Sequence, residues 1–193
     1  GTLWIYTNPV KDANKIVDFS PIKLRSSIRN SLSRIWAASF ASELAIKLKG
    51  CISWSLVNAF LDGINASDDV QCHLGILRFI WRVAYTSGLA PTIDVCDSCN
   101  KKLISDAYFD HSLNAFLCSN CCVNTKNSSH LSKDAQNYLM AILNEEPKNV
   151  RKISLSENSI SCLTTFLFRF VTNIAGDSFY SFSSKNPIYT ATR

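Results

Sequence analysis

A chain of 193 residues, 47% of them hydrophobic, can bury one good core or a core with a small satellite module, so disorder over its whole length is not expected. Its apolar stretches are short of the roughly 20 residues that a bilayer requires, and we expect a soluble protein. The formal net charge of +5 is uneven, with +5 over residues 1–50, −3 over 51–100, zero over 101–150 and +3 over 151–193, so an anionic partner should prefer the two ends.

The first fifty residues predict one strand followed by one long helix. Residues 2–7 are β-branched or aromatic and stop at Asn8-Pro9, which indicates a short strand that ends in a turn and cannot fold alone. From Ser26 to Leu48 apolar residues recur at helical spacing, and Lys49-Gly50 supplies a cationic last turn and a stop. A residual strand beside a helical body is therefore expected.

Two more helices are predicted before residue 92. The second should run from Ile52 to Leu61 and end near Gly63. The third should run from about Asp69 to Gly88, with Asp68 or Asp69 as its N-terminal cap.

After a polar connection at residues 124–129, the helical pattern returns. A helix is predicted from Ser132 to Leu143, with Pro147 closing the segment, and a buried helix from Ser159 to Ala175, ended by Gly176. The tail from Phe179 to Arg193 is rich in serine and aromatic residues without a clear period, and no structure is predicted there.

Residues 92–125 form a compact insert built around two C-x2-C pairs, separated by 18 residues. This is the spacing of a four-thiolate zinc site, since two residues between cysteines let a tight turn aim both sulfurs at one ion. Residues 107–109 and 115–117 are strand-like, and residues 110–114 between them are turn-formers, so a hairpin should return the second pair to the first. The predicted ligands are Cys96, Cys99, Cys118 and Cys121.

Four protein thiolates leave no open coordination position, so the predicted Zn²⁺ is structural and not catalytic. Two disulfides or four idle thiols are the alternative. Cys122 could also replace Cys121 through a one-residue slip. The other singletons, Cys51, Cys72 and Cys162, lie in apolar segments, which fits reduced core thiols.

No enzyme class is favoured. A zinc deaminase needs His-x-Glu before its C-x-x-C pair and an open metal position, and none of the three histidines supplies that motif. Phosphate-binding glycine loops do not occur among the six glycines. The paired acids Asp68-Asp69 and Glu145-Glu146 are better explained as caps or solvated helix ends.

Two groups of basic residues are candidate binding surfaces. The first group lies around the start of the first long helix and could grip phosphates or be an ordinary solvated face: Lys23, Arg25, Arg29 and Arg34. Arg78 and Arg82 lie one turn apart in an otherwise apolar helix and could bind an acidic, aromatic-ended peptide. The alternative for that pair is packing on the core, with the guanidinium groups paired to Asp68 or Asp69.

Several segments together resemble the bacterial recombination mediator family RecO. They are Leu77-Arg78-Phe79-Ile80-Trp81-Arg82, then Gly88-Leu89-Ala90-Pro91, then Asp94-Val95-Cys96-Asp97-Ser98-Cys99. In that family an L-R-F-x-x-R helix leads through G-Y-A-P into the zinc module. The likeness continues over residues 108–121 and spans roughly residues 20–175.

The resemblance implies a mainly α fold in which a helical domain carries a small four-cysteine, zinc-ribbon-like β-hairpin insert, with a residual N-terminal strand. The implied division is 1–20 as a residual strand and linker from the end of an OB-like barrel, 21–91 and 126–178 as the helical domain, 92–125 as the zinc module and 179–193 as an irregular tail. The rest of such a barrel is expected upstream of Gly1. Unlike the family, residues 172–184 carry no basic residue.

The function that the resemblance implies is non-enzymatic mediation of recombination in DNA repair. Such a protein binds and anneals single-stranded and double-stranded DNA, and works in the bacterial cytoplasm at the nucleoid. Its implied partners are RecR and single-strand-binding protein, whose acidic tail Arg78 and Arg82 would hold. The competing hypothesis is a zinc-stabilised protein-interaction scaffold that does not bind nucleic acid.

Overall fold

A computed structural model describes residues 1–10, 13–122 and 127–182, and these ranges form the mainly helical fold that was expected. The strands are β1 (Thr2–Asn8), β2 (Ala13–Ser20), β3 (Ala107–Asp110), β4 (Ala115–Cys118) and β5 (Ser128–Leu131). The helices are α1 (Leu32–Lys47), α2 (Trp54–Asn65), α3 (Asp69–Thr86), α4 (Lys133–Asn144), α5 (Pro147–Val150) and α6 (Glu157–Ala175). None of the helices in these ranges is long and apolar enough to cross a bilayer.

Helix α3 is the centre of the core. Ten of its 18 residues are buried, and it packs against α1, α2, α4 and α6. The indole of Trp81 is fully buried and donates its N–H to the Leu139 carbonyl at 3.0 Å. Its ring lies 6.0 Å from Phe166 and 6.1 Å from Phe170 of α6. Since burying one such side chain stabilises the fold by roughly 2–3 kcal/mol, Trp81 ties three helices together.

The predicted caps of two helices are confirmed. Asp68, not Asp69, caps α3, because its carboxylate accepts a hydrogen bond from the Gln71 N–H at 2.7 Å. Helix α6 ends at Gly176, whose φ of 68° is left-handed and therefore suits glycine. The local sequence therefore decides where α3 begins and where α6 ends.

Other predicted helix boundaries are wrong, including the starts of α2, which lies at Trp54, and of α6, which lies at Glu157. The first long helix begins at Leu32, because residues Ser26–Asn30 form a 3-10 turn. Helix α2 continues past Gly63, where a Cβ would lie 3.2 Å from Nη2 of Arg151, so this glycine makes room for that side chain. Pro147 does not close a segment but is the first residue of α5, a position where its missing N–H costs nothing.

The strands β2 and β5 were not predicted. β2 pairs antiparallel with β1, so the N-terminal strand is half of a hairpin, and almost every residue of this hairpin is exposed. Strand β5 includes two residues of the expected polar connection and pairs with β3, making the sheet order β4-β3-β5. Its sequence, Ser-Ser-His-Leu, has little β-propensity, so pairing with β3 selects its conformation.

The first residues of the expected irregular tail are structured. The ring of Phe179 is buried and lies 5.3 Å from that of Phe40 on α1. Glu43 then accepts hydrogen bonds from the backbone N–H groups of Tyr180 and Ser181, at 2.9 and 3.2 Å. The rest of the tail, residues 183–193, lies outside the described residues.

His73 of α3 is held neutral inside the fold. The hydroxyl of Thr164 donates to the Ile160 carbonyl at 2.7 Å, so it accepts from Nε2 of His73 at 2.9 Å. Nδ1 is shielded from solvent and has no hydrogen-bond partner among the described residues. Burial lowers the pKa of His73 to about 4, because no nearby group compensates the imidazolium for its lost hydration.

The protein is therefore expected to lose stability as the pH falls from 6.5 towards 4. In this window the unfolded chain protonates His73 and the folded chain does not, so protons favour unfolding. At pH 5 the penalty is up to about 2 kcal/mol. Urea unfolding at pH 7 and pH 5 measures the loss in the free energy of unfolding. The His73→Leu variant should show a smaller difference between the free energies of unfolding at the two pH values. An identical pH dependence in both proteins would contradict this assignment.

Candidate metal centre

The first cysteine pair lies in a tight turn whose base is the antiparallel bridge between Val95 and Lys102. The Cys96 N–H donates to the Lys101 carbonyl and the Asn100 N–H donates to the Cys96 carbonyl, each at 2.8 Å. Asn100 has a φ of 55°, the left-handed conformation that such a turn needs and that asparagine tolerates well. These local bonds place Cys96 and Cys99 on the same side of the turn.

The hairpin of β3 and β4 carries the chain back to the first pair. Its tip is fixed by Asp110, whose carboxylate accepts from the N–H groups of Ser112 and Leu113 at 2.8 and 3.1 Å, and by Asn114 with a φ of 53°. The register pairs Ala107 with Cys118, so the third ligand lies at the end of β4. The predicted hairpin is confirmed, including its turn.

The second cysteine pair forms another tight turn directly after β4. The N–H groups of Cys121 and Cys122 both donate to the Cys118 carbonyl, at 3.1 and 2.9 Å. The Asp97 N–H donates to the Phe116 carbonyl at 2.9 Å and so links the first turn to β4. Backbone hydrogen bonds therefore bring the two pairs side by side.

The four predicted ligands meet at one point. The Sγ atoms of Cys96, Cys99, Cys118 and Cys121 all lie within 4.8 Å of one another, and those of Cys99 and Cys118 are 3.9 Å apart. Tetrahedral zinc with Zn–S bonds of about 2.3 Å holds its sulfurs about 3.8 Å apart. The cluster therefore fits one structural Zn²⁺, and the predicted cofactor is confirmed.

A bound cation would also favour the ionised form of the thiols. Burial raises the pKa of Cys96, but hydrogen bonds from the backbone N–H groups of Cys118, Cys99 and Ser98 outweigh it, so the net pKa is lowered. In contrast, hydrogen bonding with the Cys118 and Cys99 thiols raises the pKa of Cys121. Four sulfurs this close cannot all be thiolates in isolation, and a divalent ion removes that repulsion.

Two alternatives to this ligand set, a pair of disulfides and a slip to Cys122, do not fit the structure. All eight cysteines lie in the described ranges and none is in a disulfide. Cys122 is not in the cluster, although its sequence neighbour Cys121 is, so the one-residue slip does not occur. The ion would be closed off by protein thiolates and would stabilise the fold without activating water.

The metal centre is attached to the helical core by aromatic side chains. Phe109 of β3 lies 4.7 Å from Phe166 and 5.6 Å from Phe170, both on α6, and 5.0 Å from Phe116 of β4. All four rings are at most 1% exposed. The zinc module thus shares one core with the helices.

Of the four basic residues at the first helix, two are already paired. Asp62 of α2 accepts from Lys23 at 2.8 Å and from Arg25 at 2.7 Å, and these two hydrogen bonds lower the pKa of its carboxyl group. Arg34 is half-buried and donates to the Ser27 carbonyl at 3.0 Å. Arg29 is exposed in the 3-10 turn. The structure therefore does not bring the four together as one cationic face.

Arg78 and Arg82 line a pocket between α2, α3 and α5, with a volume of about 260 Å³. Arg78 is buried and donates to the Tyr138 hydroxyl at 2.9 Å and the Gln71 carbonyl at 3.3 Å, so it does not pair with Asp68 or Asp69. The walls are largely apolar and include Leu56, Phe60 and Phe79.

A third arginine, Arg151, also lines this pocket and was missed by sequence reasoning. It lies just after the short helix α5, in a polar segment with no pattern that relates it to α3. Desolvation, then the charges of Arg78 and Arg151, lower the pKa of Arg82. Within the described ranges no carboxylate forms an ion pair with any of the three arginines.

Comparison with known proteins shows which family the chain resembles. Residues 53–180 match the family model described as "Recombination protein O C terminal", which covers α2 to α6 and the whole metal centre. No curated protein and no solved structure shows significant similarity to the chain.

Removal of one predicted ligand should release the metal and destabilise the fold. We expect the freshly purified protein to hold one Zn²⁺ per chain, measured by elemental analysis. Cys99→Ser should lose most of it and lower the free energy of unfolding by roughly 3 kcal/mol or more, because zinc binding contributes to folding. Cys122→Ser is the matched control and should keep both the zinc and the stability. Equal zinc loss in the two variants would contradict the ligand set.

Proposed function

The chain belongs to the recombination protein O family, a family of DNA recombination and repair, and we propose that it acts there as a non-enzymatic mediator. It binds and anneals DNA strands, and it works with RecR and single-strand-binding protein to load recombinase. The observation that carries this proposal is the family match over the helical core and the zinc module together. We would place this activity in the bacterial cytoplasm, at the nucleoid.

The pocket of Arg78, Arg82 and Arg151 supports a role in binding an acidic peptide. Three guanidinium groups converge on an apolar cavity without a carboxylate partner among the described residues, so an incoming carboxylate would gain charge-assisted hydrogen bonds. The cavity is smaller than the roughly 300–1,000 Å³ that drug-sized ligands take, which suits one peptide end. An aromatic side chain could fill the apolar part. This is the proposed site for the acidic tail of single-strand-binding protein.

The proposed DNA surface is the basic segment before α1 together with the first turn of that helix. Arg29 is exposed there, and the amine of Lys23 is exposed although it contacts Asp62. Arg25 and Arg34 are more committed to intramolecular hydrogen bonds, so we assign them a smaller part in phosphate contact. The division of the chain into a residual strand and linker (1–20), a helical domain (21–91 and 126–178) and a zinc module (92–125) is part of this proposal.

A second candidate function is a zinc-stabilised protein-interaction scaffold that does not bind DNA. It is favoured by Asp62, which neutralises part of the charge of Lys23 and Arg25. On this hypothesis the arginine pocket keeps its peptide partner and the basic segment has no ligand. Binding of DNA in solution distinguishes the two functions.

Fluorescence anisotropy with labelled single-stranded DNA at two salt concentrations tests the DNA surface. A mediator should bind more weakly at higher salt, because phosphate contacts release counterions. Arg29→Gln combined with Lys23→Gln should weaken binding and reduce the slope of log K against log salt by about 1–2. Lys101→Gln, at an exposed lysine of the metal module, should leave the slope unchanged. Absent or salt-insensitive binding by the unmodified protein would favour the scaffold.

Anisotropy with a labelled acidic peptide that ends in phenylalanine tests the arginine pocket. Arg151→Glu should weaken binding at least about tenfold, because it replaces a charge-assisted partner by a repelling one. Lys152→Glu makes the same charge change at the next residue, which does not line the pocket, and should have a much smaller effect. Equal effects of the two substitutions would show that only net charge matters and would reject the pocket.

A further inference from the structure

A cysteine, a histidine and an aspartate meet at the seam between the β3–β5 sheet and α6. Nδ1 of His130, on β5, lies 3.8 Å from Sγ of Cys162, on α6. The Nε2 atom of the same ring lies 3.0 Å from a carboxylate oxygen of Asp106, in the segment before β3. The three residues are far apart in sequence and none is a ligand in the four-cysteine cluster.

Neighbouring residues fix the orientation of Asp106 and His130. The second carboxylate oxygen of Asp106 accepts a hydrogen bond from the Lys133 N–H at 3.0 Å, in the first turn of α4. The ring of Tyr108 lies 5.4 Å from that of His130. A carboxylate can only accept, so Nε2 carries the proton of a neutral imidazole and Nδ1 is left as an acceptor facing the thiol.

This is the arrangement that activates a thiol nucleophile: a base within reach of the sulfur, itself oriented by a third group. The side chains of Cys162 and His130 are both accessible from solvent in part. The ammonium group of Lys133, whose backbone N–H contacts Asp106, donates to the Leu103 carbonyl at 2.6 Å. The imidazole is therefore the group that can take the thiol proton.

We propose that Cys162 is a reactive thiol, activated by His130 and Asp106, that is modified by small soft electrophiles, of which hydroperoxides are one class. The thiol proton moves to Nδ1 of His130, and the sulfur attacks one peroxide oxygen. The O–O bond breaks, the sulfur is oxidised by two electrons to the sulfenic acid, and the leaving oxygen takes the proton as water or an alcohol. Atoms and electrons balance without a further reactant.

Among the described residues, two other cysteines lack the hydrogen bond to a histidine that Cys162 makes. Cys72 is buried, its thiol faces the Ser33 carbonyl at 3.6 Å, and burial raises its pKa to about 11, so it is inert. Cys51 is exposed and lies in the loop between α1 and α2, which makes it a natural internal reference for an unassisted thiol. Because Cys162 and His130 lie on two elements that pack together, modification would alter the seam that joins the metal module to α6.

The test is the rate of alkylation by iodoacetamide at pH 7, in the zinc-loaded full chain, followed for each cysteine by peptide mass spectrometry. Cys162 should react about tenfold faster than Cys51 in the unmodified protein. His130→Gln should bring the rate of Cys162 to within about twofold of that of Cys51, and Asp106→Asn should lower it severalfold. After a brief pulse of hydrogen peroxide, dimedone should label Cys162 in the unmodified protein and not in His130→Gln.

The control variant is His111→Gln, which changes a histidine that contacts Ser129 of β5 but not Cys162, and it should leave the rate of Cys162 unchanged. The circular dichroism of each variant and the alkylation rate of its Cys51 show whether it is folded. If a variant is misfolded, the alkylation rates of Cys162 and Cys51 in the unmodified protein still test the proposal. A rate of Cys162 equal to or below that of Cys51 would overturn the proposal. So would a rate that is unaffected in folded His130→Gln.

Discussion

The position of the metal module depends on one hydrophobic contact, the packing of Phe109 against Phe166 and Phe170 of α6. The four thiolates close the two turns on each other, but they fix only the internal geometry of the module. The aromatic contact is what fixes the module to the helices, and α6 reaches Trp81 of the central helix through the same two phenylalanines. Zinc therefore holds the two turns together, and hydrophobic burial holds the hairpin on the helices. The position of the hairpin depends on both.

The same core explains where charge is tolerated. Arg78 is buried with only hydroxyl and carbonyl partners, and Arg82 has lost part of its hydration, so burying these polar groups costs free energy. Under the proposed function this cost serves the binding of an acidic peptide, and Gly63 makes room for a third arginine at the same place. By contrast, the ion pair of Lys23 with Asp62 is exposed and contributes little to stability, and Arg25 is half-buried beside it. The two basic groups thus differ in kind, although they look alike in sequence.

Features that depend on a few consecutive residues could be predicted from the sequence. The zinc ligands follow from C-x2-C spacing, the hairpin from the turn-formers between two apolar pairs, and the helix ends from Asp68 and Gly176, because each depends on a local hydrogen bond or backbone conformation. Strand β5 was missed because its four residues become a strand only by pairing with β3. The register of β1 with a second strand was missed for the same reason.

The sequence by itself determined the helices, the metal and the family resemblance, all of which rest on periodicity and short spacings. Only the tertiary structure decided which distant side chains meet: Arg151 with Arg78 and Arg82, Asp62 with Lys23 and Arg25, and Cys162 with His130 and Asp106. Spacing along the chain carries no information about these encounters, because they result from how helices and strands pack over tens of residues. The fold class of this chain follows from local sequence patterns, whereas its proposed binding surfaces depend on tertiary packing.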